Sequence, residues 1–180
     1  LTLIFLSRLE MDKGIVETIE AFLKLKNVDR ELELLIAGNG PAFDLVKELV
    51  VQSGDKRIQL LGYVRGASKR AILERSHLMI LPTSYGEGLP VCLHEARVFG
   101  TPRITTPVGG IPDNFIEGEN GYYIHNVTWK SLAELIRKMI GAKDDLARIV
   151  VNNYYFARKK FPASVVAQRL EAIYQQVIDG

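Results

Sequence analysis

Short apolar runs alternate along this chain with longer stretches in which apolar side chains recur every three or four positions. The runs at residues 1–7, 31–37, 57–61, 78–81, 103–105 and 122–124 are too short for helices and rich in Leu and Ile, which predicts strands. Between the first two, residues 14–25 place Ile15, Ile19, Phe22 and Leu23 on one helical face. Residues 43–51 and 67–75 behave similarly, and a further helix opens after Pro90 and runs to about Phe99. Beyond Ile124 the pattern is helical only, over residues 128–140, 143–159 and 163–178. Thr128 and Ser131 can act as N-terminal caps, and Pro162 stands where a first helical turn tolerates it. The last helix carries Val165, Val166, Leu170, Ile173, Tyr174 and Val177 on a broad face that must pack on something, in part a neighbouring domain. Strands separated by helices predict an α/β fold: a doubly wound, mostly parallel sheet with helices on both faces, three layers in all, followed by C-terminal helices.

Composition narrows the class. With 180 residues, 47% of them hydrophobic, the chain supports one core, and with neither linker nor internal repeat, residues 1–180 read as one domain. A net charge of +2 gives no electrostatic reason to expect a nucleic-acid partner. The lone Cys92, between Val91 and Leu93, cannot form an internal disulfide and reads as a reduced core thiol of an intracellular, cytoplasmic protein. No apolar run approaches the ~20 residues of a membrane span. Leu1 already lies in a strand, so the chain reads as a domain cut from a longer polypeptide.

In an open parallel sheet the ligand crevice lies at the carboxyl ends of the strands, where strand order reverses. Function is therefore sought in the loops at residues 7–13, 38–41, 62–66, 82–88 and 106–111. A dinucleotide fingerprint is missing from the first turn, Ser7-Arg8-Leu9-Glu10-Met11-Asp12-Lys13, which disfavours a nicotinamide-dependent dehydrogenase. The only G-x-G, Gly38-Asn39-Gly40, follows the second strand and reads as a tight turn. Arg8 and Lys13 suit a diphosphate, since a guanidinium forks onto phosphate oxygens and an ammonium adds a point charge. They read equally well as solvated charges paired with Glu10 and Asp12.

The strongest local signal is Pro82-Thr83-Ser84-Tyr85-Gly86-Glu87-Gly88-Leu89-Pro90, which follows a strand and opens a helix. Its glycines allow close backbone approach, and free amides at a helix start favour an anion. Glu87 and Glu95 stand eight positions apart, roughly 12 Å along a helix axis at ~1.5 Å per residue. A nucleotide-sugar laid across that helix start could offer its hexose to Glu87 and its ribose diol to Glu95, because a carboxylate accepts two hydrogen bonds at once. The competing reading leaves Glu87 to the helix dipole and pairs Glu95 with a nearby Arg.

Together the motifs resemble the carboxyl-terminal, donor-binding domain of the retaining GT-B glycosyltransferases of family 4 (glycosyltransferase group 1). The matching segments run in the family's order over nearly the whole chain: Ser7-Arg8-Leu9 with Lys13-Gly14, Ile36-Ala37-Gly38-Asn39-Gly40-Pro41, Leu61-Gly62-Tyr63-Val64, Leu81-Pro82-Thr83-Ser84, the E-x7-E pair Glu87 and Glu95, Gly100-Thr101-Pro102, Val108-Gly109-Gly110-Ile111-Pro112 and Asn120-Gly121. The resemblance implies a Rossmann-like half of a GT-B fold whose amino-terminal acceptor domain is absent from this chain, with the last helix crossing back to that domain. It implies Arg8, Lys13, Gly88 and Leu89 at the donor diphosphate, Glu87 and Gly86 at the donor sugar, Glu95 at the ribose, and the backbone around Tyr63 and Val64 at the base. Glu87 would be catalytic in the sense of positioning and charge stabilisation. The donor would be a UDP- or GDP-hexose and the acceptor a glycan or a lipid-linked glycan. Neither a metal nor a cofactor is expected, and the isolated domain should be inactive. A different-class alternative is a non-catalytic nucleotide or nucleotide-sugar binding module.

Two positions depart from the family pattern. Asp113 stands where Glu is usual, and Arg103 where an apolar residue is usual, which places Arg103 at the edge of its strand or extends it towards the crevice. His94, one helical step from Glu95, is turned away from it and reads as structural, as do His77 and His125. The cluster Arg158-Lys159-Lys160 reads as a favourable helix-end charge, with peripheral association of the full-length protein with the inner face of a membrane as the alternative.

Overall fold

The computed structural model describes residues 1–25, 31–86, 88 and 90–179. Strands β1 (Thr2–Leu6), β2 (Glu33–Ala37), β3 (Ile58–Gly62), β4 (Leu78–Leu81), β5 (Arg103–Thr105) and β6 (Gly121–Tyr123) form one parallel sheet in the order β3-β2-β1-β4-β5-β6. Every residue of β1 and β4 is buried, which is why these strands read as unbroken apolar runs rather than as an alternation. The register sets Leu3 beside Leu34 on one side and Leu78 on the other.

The helices are α1 (Ile15–Leu23), α2 (Phe43–Ser53), α3 (Gly66–Glu74), α4 (Val91–Val98), α5 (Trp129–Gly141), α6 (Lys143–Lys160) and α7 (Ala163–Asp179). The chain steps from β1 outward to β2 and β3, then returns past β1 to β4, so right-handed crossovers put α1 and α2 on one face and α3 and α4 on the other. α5 packs on α1, and α6 on α4, closing the two outer layers. The loops after β1 and β4 therefore diverge and open a crevice between them. Thr128 caps α5, its hydroxyl accepting the Ser131 N–H at 3.2 Å, whereas Ser131 itself lies inside the helix. Short 3-10 turns at Met11–Lys13 and Pro112–Asn114 were not expected, since three residues carry no periodicity.

Two expectations change. α7 packs chiefly on α6 and, among the described residues, buries none of its side chains; Val177 and Ile178 are each 76% exposed. Arg103 lies neither at a sheet edge nor towards the crevice. It begins β5, between β4 and β6 and at the opposite end from the crevice, and is 1% exposed. Its guanidinium donates to the Leu93 carbonyl at 3.2 Å, to Asn153 Oδ1 at 3.3 Å and to the Asn120 carbonyl at 3.4 Å, with the Phe115 ring centroid 5.0 Å away. Asn153, fully buried on α6, donates in turn to the carbonyls of Gly100, Thr101 and Asn120. The Gly100-Thr101-Pro102 and Asn120-Gly121 motifs thus meet on one α6 side chain that the sequence did not single out.

Candidate functional site

The crevice is built by four loops, after β1, β2, β4 and β5, that hold one another chiefly through backbone. After β1, Ser7 N donates to Ala37 O at 3.2 Å, Leu9 N to Asn39 O at 3.0 Å, and Ala42 N returns to Leu9 O at 3.0 Å. Gly38, at φ +150°, lies so close to the first loop that a Cβ there would sit 1.8 Å from Ser7 O. The Gly38-Asn39-Gly40 segment is therefore a close approach between two loops rather than only a tight turn. The loop after β4 is fixed to the first as well: the Asp12 carbonyl accepts Ser84 N at 2.7 Å, Ser84 Oγ at 3.2 Å and Thr83 Oγ1 at 3.3 Å. After β5, a Cβ on Gly110 would lie 2.1 Å from Gly88 O, which accounts for the second glycine of that motif.

These loops frame a cleft of about 440 Å³ at the carboxyl ends of β1, β2 and β3. It brings together four of the residues expected at a site: Arg8, Tyr63, Val64 and Glu95. Tyr63 is largely exposed and Val64 half-buried. Arg8 projects with its side chain 67% exposed and its Nε 3.1 Å from Glu10 Oε1, so it lines the cleft and pairs with Glu10 at once. Lys13 is not a solvated charge. It is buried, with Nζ 4.2 Å from the centroid of the Tyr85 ring, and does not line the cleft beside Arg8. Gly86 and Gly88 are exposed in the loop after β4, also outside that lining. Glu87 and Leu89 lie outside the described residues, so the E-x7-E pair is placed at its second member only.

Glu95 is paired, though not with an arginine: its Oε1 accepts Lys69 Nζ, reaching across from α3. Asn39 and Arg65 line the cleft from loops in which function was sought, without having been assigned a role, and Lys69 lines it unanticipated. The available signal was weak: Arg65 and Lys69 stand four apart at the start of a helix that follows the Gly62 loop. Cys92 also lines the cleft and is half-buried, which corrects its reading as a core thiol. With Arg8, Arg65 and Lys69 set against Glu95, the lining favours a polyanion that also carries hydrogen-bond donors for a carboxylate.

None of the three histidines lines the cleft. His94 contacts the Phe161 ring edge-on at 5.2 Å, and burial, helped by Arg103 and Arg97, lowers its pKa. His77 Nδ1 accepts Thr2 N at 3.1 Å, and burial again lowers its pKa. His125 lies 6.1 Å from Tyr123, ring to ring. Arg158, Lys159 and Lys160 form the last turn of α6, with the Arg158 guanidinium 4.6 Å from the Tyr154 ring centroid. No helix among the described residues is long and apolar enough to cross a membrane.

The model of the family described as glycosyl transferases group 1 matches residues 1–155. The chain is 25% identical over 172 residues to the capsular polysaccharide biosynthesis glycosyltransferase CapM of Staphylococcus aureus, which covers 94% of this chain and 44% of CapM. Its fold matches HepE of Anabaena, crystallised in complex with UDP-glucose, with a TM-score of 0.82 at 21% identity over 97% of this chain and 48% of that one. It also matches the C-terminal domain of LpcC, a glycosyl transferase group 1 family protein from Francisella tularensis, with a TM-score of 0.75 at 24% identity over 90% of this chain and 86% of that domain. The chain spans about half the length of the first curated relatives it matches.

Proposed function

This chain belongs to the glycosyl transferases group 1 family, and from that premise we propose that its cleft holds the donor of a retaining GT-B glycosyltransferase, a UDP- or GDP-hexose. The observation that carries the reading is the convergence of Arg8, Tyr63, Val64 and Glu95 on one cleft where the strand order reverses. The UDP-glucose complex of HepE and the capsular polysaccharide role of CapM support a sugar nucleotide and a glycan or lipid-linked acceptor.

In this reading the base lies against the backbone at Tyr63 and Val64, and the ribose diol donates to Glu95. The diphosphate meets Arg8; the family pattern adds Lys13, Gly88 and Leu89, of which Lys13 and Gly88 do not line the cleft in this structure. The family pattern assigns Glu87 and Gly86 to the hexose. The bond from the anomeric carbon to the diphosphate breaks while an acceptor hydroxyl attacks from the same face and passes its proton to the departing diphosphate oxygen, so configuration is retained. Negative charge grows on the departing diphosphate, and fixed cations stabilise it without a metal. The acceptor site belongs to an amino-terminal half, which would also cover the exposed face of α7.

Calorimetric titration tests the reading. Saturable binding of UDP or GDP is expected, the same in EDTA as in Mg²⁺, and weakened about 10- to 100-fold by Glu95→Ala through loss of hydrogen bonds to a charged acceptor. Absence of binding by UDP, GDP and ADP up to millimolar concentration would overturn it, and tight NAD binding would revive the dehydrogenase reading. A second outcome is expected from a coupled assay for released UDP or GDP: the 180-residue chain alone turns over little or no UDP- or GDP-sugar. Transfer at an ordinary enzyme rate would show that no second half is needed.

A further inference from the structure

Lys69 donates a hydrogen bond to Glu95 and forms an ion pair with it. Both are about one-third exposed, with side-chain accessibilities of 32% and 29%. They belong to different helices, α3 and α4, so the contact spans the cleft. Lys69 N also donates to the Arg65 carbonyl at 3.4 Å, one residue beyond the Tyr63-Val64 segment. Lys69 therefore joins the loop assigned to the base to the carboxylate assigned to the ribose.

We propose that Lys69 is a positioning residue: it fixes the Glu95 carboxylate in the orientation that accepts the ribose 2′- and 3′-hydroxyls. The inference rests on the donor-site reading above. An ionised carboxylate offers about four acceptor positions, so one ammonium on Oε1 leaves Oε2 and a further lone pair for a vicinal diol. A glutamate without that partner has free rotation about its side-chain bonds, and the diol must then order it on binding. The opposite role is also available to an ion pair in an empty cleft. Were Lys69 a competitor that the diol displaces, its removal would tighten binding.

Sugar-modified nucleotides separate the cases. UDP, GDP and their 2′,3′-dideoxy counterparts are titrated into the wild-type chain, Lys69→Met and Lys69→Arg. Lys69→Met is expected to weaken the ribonucleotide about 5- to 20-fold while changing the dideoxy ligand less than about twofold, and Lys69→Arg to recover most of the loss. Equal weakening of both ligands would mean that Lys69 touches phosphate or base directly or supports the fold, and tighter ribonucleotide binding would make it a competitor. Either result overturns the proposal while leaving the donor site standing. If neither nucleotide binds the wild-type chain, the donor-site reading fails first and the positioning role with it.

Discussion

Replacing Arg103 by alanine should destabilise the chain by about 3–5 kcal/mol, whereas Arg103→Met should cost less than about 2 kcal/mol. Alanine empties the volume of a fully buried side chain between β5, α4 and α6. It also takes donors away from the carbonyls of Leu93 and Asn120 and from Asn153. Methionine refills most of that volume and removes a cation whose hydrogen-bond partners are carbonyl and amide oxygens rather than a carboxylate, so the relief of burying charge offsets part of the lost bonding. Urea denaturation of the three proteins at neutral pH checks the order. A loss on Arg103→Met equal to that of Arg103→Ala would mean that the hydrogen bonds, not the packing, hold this corner.

The same residue gives a pH signature. Burial, with Arg97 nearby, pulls the pKa of the Arg103 guanidinium down to about 9, and burial pulls that of Arg97 down to about 10. Above pH 9 the unfolded chain binds the extra proton, so the contribution of Arg103 to stability rises as pH climbs past that value and is constant below it. The stability of wild type minus that of Arg103→Met should therefore be flat from pH 7 to 8.5. Above pH 9 it should increase, by up to about 1.4 kcal/mol per unit. A difference that stays flat to pH 10.5 would show that the guanidinium keeps its proton.

The second large effect is expected at Gly38. Gly38→Ala should cost about 3 kcal/mol or more and abolish nucleotide binding, because its Cβ would land 1.8 Å from Ser7 O, backbone that cannot swing aside. Separating the two loops moves Arg8 and Asn39 together, so the cleft loses its shape along with its stability. Gly54→Ala is the control: it too has positive φ, +59°, but nothing lies within 4 Å of the added carbon, so only the ~1 kcal/mol of backbone strain remains. Equal losses at the two positions would place the cost in φ alone and not in the contact between loops.

Which features could be read along the chain depends on how far away their causes lie. The strands were legible because parallel strands buried on both faces spell contiguous Leu and Ile, and the helices because a single face is apolar. Arg8, Tyr63, Val64 and Glu95 were legible as motif positions following strands. Lys69 was not, since nothing in Gly66-Ala67-Ser68-Lys69-Arg70 distinguishes the lysine that meets Glu95 from an ordinary helix-surface cation. Its significance arises only when α3 and α4 come together. Arg103 was misread for the same reason: its partners Leu93, Asn120 and Asn153 are 10, 17 and 50 positions away. The meaning of Gly38 likewise depends on Ser7, in the neighbouring strand's loop.

The single carbonyl of Asp12 takes three hydrogen bonds from Thr83 and Ser84. It joins the first and fourth strand-end loops into one mechanical unit, so a ligand gripping Arg8 pulls on the segment that leads to Gly86. The Ser84 amide is then a reporter built into the chain. Its hydrogen exchange should slow when the cleft fills, although Ser84 does not line it, and the occupancy of one loop becomes readable in the other.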